Sequence, residues 1–594
     1  MLESTKPIKP TQQVSAHDGQ LLSACALWVP IAVSLCSALP AWGGNVTLRL
    51  VTLSGDSAPG TAVDQNFSSM DTASLNAAGH TIFRAILAGA GVDLTNDSGI
   101  WSEGTGTLTL LAREGDQAPG ALAGVDFDFF NNLLINDSGQ AAILASLVGT
   151  GVDNTNNIGI WSQGTGTLAL VARTGSHAPG TPAGVVFSFF DSSGLLLNNA
   201  GQTAFRGILT GPGVDATNDR GIWSERPGTV ALVARTGDQA PGTPIGVQFL
   251  IFLTAPVLNN AGLTAFSGAL TGPGVSTLNN TGIWSEGTGS LAILARAGDP
   301  APGTPAGVNF DVLLNAPLAI NDAGHTAFRG TLVGPGVDGS NNIAVWSQGS
   351  GSLALVARAG DPAPGAATFS GFGPPVLNGS GRTAFAATLT GIGVAPTNDS
   401  GIWSEGAGTL ALVARTGDPA PGTPPGVTFN SLTDPVLNAA GSTAFLAGLS
   451  GAGVGGSNDS GLWAQTGDGT LTLIARHGDA MEVAPGDSRI ISSLTLLGDS
   501  GGQDGRPRSL NDAGQVAFSV GFTDGTSAVC VATTCIAADV NGDSVVNLSD
   551  VGAFVGVLLA PSSASAAQSC AADLNGDSSL DGEDVTPFLE QLLP

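Results

Sequence analysis

The tryptophan of a GIWS-like phrase recurs at Trp101, Trp161, Trp223, Trp284, Trp346, Trp403 and Trp463, at intervals of 57 to 62 residues. The asparagine that opens an LN-x-x-G phrase recurs in step, at Asn76, Asn136, Asn198, Asn259, Asn321, Asn378, Asn438 and Asn511. That makes eight units; the eighth lacks the tryptophan and ends in TSAVCVA. A chain of this kind folds by stacking one supersecondary unit on its neighbours, because no unit can bury its apolar face alone.

The unit at 167–225 shows the expected elements. TLALVAR (167–173) reads as a first strand, apolar on both faces and so expected to be covered on both. VVFSFFDSSGLLLN reads as a second strand region, QTAFRGILTG as a third strand and GIWSE as a short fourth. Gly, Pro and Asn punctuate between them. A β-helix coil uses repeats of about 20 residues, whereas a propeller blade uses about 40–50 in four strands. Sixty residues fit a blade with long loops. The fold class is therefore all-β: a β-propeller of about eight four-stranded blades, with seven blades and a leftover hairpin as the alternative. The repeats occupy 45–532, and ring closure joins the strand NVTLRLVT to the chain near Ala532.

The asparagine of each LN-x-x-G phrase is expected to fold an Asx turn, relieved by the glycine three residues on. The Ala-Phe pair that follows belongs to a strand packed between blades. The phrase N-x-x-G-x-x-A-F resembles the tandem-repeat family known by that motif, of the choice-of-anchor type, found in exported bacterial proteins with varied C-terminal anchors. The second unit departs from it, with Ile143 in place of Phe. The resemblance implies no known reaction.

After the repeats the text changes. DVNGDSVVNLSD (539–550) and DLNGDSSLDGED (573–584) are twelve-residue loops with oxygen-bearing side chains at positions 1, 3, 5, 9 and 12. These are Asp539, Asn541, Asp543, Asn547 and Asp550, then Asp573, Asn575, Asp577, Asp581 and Asp584. Val545 and Ser579 at position 7 offer their carbonyls. Alternate residues of such a loop turn inward around a hard cation that takes six to eight oxygens, so two Ca2+ ions are expected. An apolar helical stripe follows each loop: Val551, Phe554, Val555, Leu558 and Leu559, then Val585, Phe588, Leu589, Leu592 and Leu593. The region 535–594 resembles a type I dockerin, a small α-helical calcium-binding domain with two EF-hand-type loops and no entering helix. That resemblance implies docking onto a cohesin-like or other cell-surface protein. Ser544 and Ser578 depart from the usual glycine at position 6. Leu548/Ser549 and Gly582/Glu583 differ between the halves at the partner-choosing positions 10 and 11, which argues against symmetric two-way docking.

The first 43 residues read as a signal peptide, with Lys6 and Lys9 ahead of an apolar run from Leu21 to Trp42 and small residues around Ala38 and Ala41. A retained anchor is the alternative, since the run is of spanning length; Pro30 and Pro40 favour cleavage. No other segment could span a membrane, and a secreted or cell-surface location follows. Cys530, Cys535 and Cys570 remain after export, which permits a disulfide. Cys535 and Cys570 each precede a calcium-type loop and are the first pairing choice.

A net charge of −28, with no lysine beyond the leader, excludes a nucleic-acid partner. The five histidines lack metal-ligand spacing, and neither a G-x-S-x-G elbow in context nor a P-loop appears. No catalytic residue is assigned. The acids of the GD-x-APG and NDxG phrases recur in most units and read as turn caps, and the Arg of each VAR phrase is expected to pair with the nearby GD aspartate. Asp126, Asp128, Asp191, Asp311 and Asp434 are unrepeated, and any site is expected among them. The expected function is a secreted, non-catalytic propeller binding a protein or glycan and tethered by its dockerin-like module. The alternative is a carbohydrate-active enzyme, a glycoside hydrolase or lyase of polysaccharide degradation.

Overall fold

The computed structural model describes residues 46–592 apart from 193, 227, 314–317, 499, 544 and 576–578. The 1–43 leader thus lies outside the described residues. Eight antiparallel sheets follow one another along the chain and form an eight-bladed β-propeller. The seven-blade alternative is thereby excluded. In blade 3 the inner strand is Val186–Phe190, resumed at Leu196–Leu197; Thr203–Thr210, Arg220–Ser224 and Ala231–Arg235 follow outward. In blade 2 the inner strand runs unbroken over Val125–Ile135.

This order corrects the phase read from the sequence. ALVAR is the outer strand of the preceding blade, not the first strand of its own, and it is only half-buried. Its apolar faces had suggested cover on both sides; as an edge strand it is covered by its neighbours only in part. The offset explains ring closure. Val46–Leu53 pairs with Ser527–Thr534, Val46 opposite Thr534 and Leu53 opposite Ala528. The start of the repeats therefore supplies the outer strand of the last blade.

The recurring words are architectural. The seven tryptophans of the GIWS-like phrases are fully buried. Each indole N–H donates to the carbonyl of the APG proline before its blade, at 2.8–3.1 Å. The Phe of the inner strand meets the indole edge-on, as Phe187 does with Trp223 at 4.8 Å; such pairs add about 1 kcal/mol beyond burial. The Ala-Phe phenylalanines, from Phe83 to Phe518, are buried. The Glu or Gln after each GIWS-like phrase reaches the residue that opens the next strand inward, a threonine in six blades and Ala141 in blade 2: Thr203 donates both its N–H and its hydroxyl to Glu225, and Ala141 its N–H to Gln163. The VAR arginines serve a different partner from the one expected. Arg173 and Arg235 donate to the carbonyls of Asn156 and Asn218 in the loop before GIWS, and none of the seven forms an ion pair with a GD aspartate among the described residues.

Beyond the propeller lie α1 (Asp550–Leu559), α2 (Ala566–Ala572) and α3 (Val585–Leu592). A disulfide joins Cys535 to Cys570, while Cys530 is free and buried, its thiol pushed up to about 12 by desolvation. α1 and α3 meet through Phe554 and Phe588, stacked at 3.9 Å. The predicted stripes are buried only in part: Val555, Leu559, Val585 and Leu589 stay exposed, and Leu593 lies outside the described residues. α2, which periodicity did not reveal, fills the gap instead. It packs on strand Ser527–Thr534, with Cys570 Sγ 3.7 Å from the Thr533 carbonyl. No helix of the described residues is long and apolar enough to cross a membrane.

Candidate functional site

The inner strands surround the propeller axis, and the LN-x-x-G turns ring one end of it. Each asparagine folds its turn as expected: Asn198 Oδ1 accepts from the N–H groups of Ala200 and Gln202, and Gly201 takes φ +77°. Its amide does something the sequence did not disclose. Every Asn donates to the main-chain carbonyl of the next blade's Asn, at 2.9–3.2 Å, until Asn511 returns to Asn76.

The same end of the channel is sealed. Blade 8 carries 73 residues between Asn438 and Asn511, and the excess turns into the axis as a plug over 500–508. Its carbonyls take up inner-strand N–H groups that no neighbouring strand reaches. Leu75 donates to Arg508, Leu197 to Gly505, Leu258 to Asp504 and Leu437 to Ser500, at 2.8–3.3 Å. Asp504 is fully buried and paired with Arg506, whose guanidinium also donates to the Leu318 carbonyl. Arg508 reaches Asp137 on blade 2.

The other end of the channel is where the repeat stops repeating. The five unrepeated acids lie on or beside the inner strands, but they are spread over four blades. Asp126 and Asp128 are on blade 2, and Asp128 accepts from Ser146 Oγ at 3.0 Å. Asp191 of blade 3 is held by Arg206. Asp311 belongs to blade 5 and Asp434 to blade 7. Two large apolar side chains stand half-exposed at equivalent places on neighbouring inner strands, Phe129 and Phe189, each 45 % exposed, with Leu250 next round the ring. The Arg84 guanidinium lies 4.9 Å from the Phe129 ring and is paired with Asp71.

A sequence reading that discounted repeated acids missed Glu114. Its position holds Thr174, Thr236, Ala297, Ala359, Thr416 and His477 in the other units. That break was the available signal. Desolvation pushes the Glu114 carboxyl up to about 7, aided by Asp97 and Asp128 and opposed by the N–H of Ser98. The hydroxyl of Ser98 is buried without a partner.

In the C-terminal loops the position 1 and position 12 carboxylates turn inward. Asp550 and Asp584 are fully buried, and Asp539 and Asp573 nearly so. Asp550 ties its loop together, accepting from the N–H groups of Asn541 and Asn547 at 3.0 and 2.9 Å. Asp584 does the same for Leu574 and Asp581. Asp539 Oδ1 accepts from Gly542 and Asp543, and Asp543 Oδ1 from Val545. Asn541, Asn547, Asn575, Ser579 and Asp581 line the same loops; Asp577 lies outside the described residues. Among the described residues no three acidic, histidine or cysteine side chains form a ready-made cluster, since amides and main-chain carbonyls make up much of each oxygen set. The donor set fits a hard cation for a second reason. Residues 535–594 contain nine carboxylates and no Lys, Arg or His, so the buried charges have no counter-ion within their own module.

No curated protein matches the chain. Solved structures similar to it include the β-propeller domain of the Trilobed protease from Pyrococcus furiosus, 9% identical with TM-score 0.34, over 70% of this chain and 99% of that one. Pyrococcus horikoshii acylaminoacyl peptidase is 10% identical with TM-score 0.31, over 76% of this chain and 57% of that one, so the chain spans a little over half of that peptidase. The polysaccharide lyase Uly1 is 10% identical with TM-score 0.30, over 71% and 93%. Residues 537–592 match the dockerin type I domain, a module that binds cohesins and generally Ca2+. Residues 41–165 and 159–537 match a family of unknown function, DUF7453, and the chain belongs to that family.

Proposed function

We propose that the protein is an exported, non-catalytic binding propeller, anchored by calcium-dependent docking of its C-terminal module onto a cohesin-like or surface protein. The observation that carries this reading is the set of buried carboxylates Asp539, Asp550, Asp573 and Asp584 in a module without a single basic side chain. Two Ca2+ ions, one per loop, would neutralise them, held by Asp539, Asn541, Asp543, Val545, Asn547 and Asp550 and by Asp573, Asn575, Asp577, Ser579, Asp581 and Asp584. Exposed Leu548, Val555, Leu559 and Leu589 offer apolar area for a partner on the same module. The propeller's repeated residues are consumed by architecture, which leaves the channel mouth for binding. Calorimetry on the full-length protein tests the anchor: two-site calcium uptake and calcium-dependent capture of a type I cohesin are expected. No uptake at millimolar calcium would overturn it.

A second reading, a carbohydrate-active enzyme, draws on one observation, the raised carboxyl of Glu114 beside Asp97 and Asp128. Incubation with a polysaccharide panel separates the two. Reducing ends or unsaturated sugars that vanish in Glu114→Gln would favour the enzyme; retention without turnover favours the binding module.

A further inference from the structure

We infer that the open end of the propeller channel binds the terminal sugars of an uncharged glycan chain, with Phe129 and Phe189 as the stacking platform. The inference rests on the binding-module reading above and adds the ligand class, the place and the mode of recognition.

Three observations lead there. The first is the aromatic pair. A half-exposed phenylalanine on an inner strand breaks the rule that this chain follows elsewhere, where the phenylalanines of the repeat phrases are buried. Phe129 and Phe189 each follow a β-bulge that recurs at the same place in blades 1, 4, 6 and 7, where Ser69, Ile251, Gly371 and Ser431 stand instead of a phenylalanine. A bulge re-aims a side chain at the cost of ladder pairing, so what distinguishes blades 2 and 3 is the aromatic residue carried there. The inner strand of blade 1, next to that of Phe129, and the inner strand of blade 7, across the ring from blade 3, carry small hydroxyl and amide groups instead: Ser68, Ser69, Asn430 and Ser431 are exposed. The mouth thus presents flat apolar surface at blades 2 and 3 and hydrogen-bonding groups at blades 1 and 7. A pyranose matches both, with a C–H face for the rings and hydroxyls for the polar groups.

The second observation is charge. The two arginines beside the aromatic pair are already neutralised, Arg84 by Asp71 and Arg206 by Asp191. The chain as a whole carries −28. Sulfated or uronic polymers would be repelled at long range and would find these guanidinium groups occupied.

The third observation is the plug. Main-chain hydrogen bonds from blades 1, 3, 4 and 7 fix residues 500–508 across the far end. A polymer cannot thread a channel closed in this way, so a chain must enter by its end.

The experiment uses full-length, calcium-loaded protein and calorimetry with neutral cello-, xylo- and manno-oligosaccharides of two to six sugars. One series should bind, with affinity that stops rising within a few sugars. Phe129→Ala and Phe189→Ala should each weaken it about tenfold or more, which is about 1.4 kcal/mol, without changing the melting temperature, since both rings are half-exposed. Fragmenting the parent polysaccharide should raise the number of sites per gram in proportion to chain ends. Sites that scale with mass would overturn end recognition. Undiminished affinity in both variants would overturn the location and leave the binding-module reading standing. Binding of none of the three series by protein that still takes up calcium and cohesin would overturn the ligand class, with the anchor unaffected.

Discussion

The side-chain amide of Asn511 donates to the main-chain carbonyl of Asn76 at 3.2 Å, across 435 residues of chain. This bond completes a ring of eight identical ones, each running from one blade to the next. It lies at the end of the axis where the plug sits, so the velcro strand Val46–Leu53 is not the only closure of the toroid. Asn259 shows what one member contributes. It is fully buried; its Oδ1 accepts from Ala261 and Leu263, and its Nδ2 donates to Asn321. Asn259→Ala strands the Asn321 main-chain carbonyl and two turn N–H groups. The expected loss is about 2–4 kcal/mol, from groups left buried without partners, measured by urea unfolding followed through tryptophan emission. A loss below about 0.5 kcal/mol would mean that the ring is incidental.

The asparagine turn was legible because it is local: Asn, then Gly three residues on, is turn chemistry written in sequence. The ring was not, because its donor and acceptor sit about 60 residues apart and a repeat reports only that each unit needs its Asn, not to whom it reaches. The blade count and the closing strand were also legible, since they follow from counting units. The phase was not: TLALVAR is apolar whether it begins a blade or edges the one before, and only pairing decides. In the tail, loop spacing pointed to the inward-turned carboxylates of Asp550 and Asp584, whereas α2 escaped because AAQSCAA has no apolar stripe to reveal it. Its capping box of Ser565 and Gln568 was the available signal.

Glu114 predicts a pH dependence. Its ordinary value is 4.5 and its folded value is about 7, raised by desolvation and then by Asp97 and Asp128. The folded state therefore holds a proton that the unfolded chain releases between those values. Its favourable contribution is complete below about pH 4.5 and is lost as pH rises through about 7. Glu114→Gln, and Glu114→Thr, which restores the residue of neighbouring units, should unfold alongside the parent at about pH 4. Both should be the more stable at about pH 8. Parallel stability curves across that window would show that Glu114 titrates normally.

The plug predicts a local effect. Asp504 is fully buried and accepts from Ser500 Oγ and from the Arg506 guanidinium. Asp504→Ala leaves Arg506 beside the Leu318 carbonyl with no counter-charge. Breaking one partner of a buried pair costs about 3 kcal/mol or more. The stronger test is where the loss appears. The amides of Leu75, Leu197, Leu258 and Leu437 bond only to the plug, so their hydrogen exchange should accelerate while the Trp-bearing strands keep their protection. Uniform acceleration would mean that plug and blades open together.

Calcium removal should separate the module from the propeller spectroscopically. All seven tryptophans of the described residues are in blades, and the chain has no tyrosine. In protein prepared without residues 1–43, which carry Trp28 and Trp42, tryptophan emission therefore reports the propeller alone, while α1, α2 and α3 are the only α-helices of the described residues. Without a cation, Asp539, Asp550, Asp573 and Asp584 must stay buried and mutually repelling in a module that has no basic residue, which opposes docking of Phe554 on Phe588. A chelator should reduce the helical circular dichroism and leave tryptophan emission unmoved, with recovery on adding millimolar calcium. Asp584→Asn keeps the acceptor oxygen for Leu574 and removes one charge, so it should weaken calcium uptake at the second loop about tenfold or more while α1 still refolds at the first. An emission shift on chelation would show that the loops also brace blades 7 and 8, whose turns at Ala440 and Ala513 line the same crevice as Asp539 and Asn541.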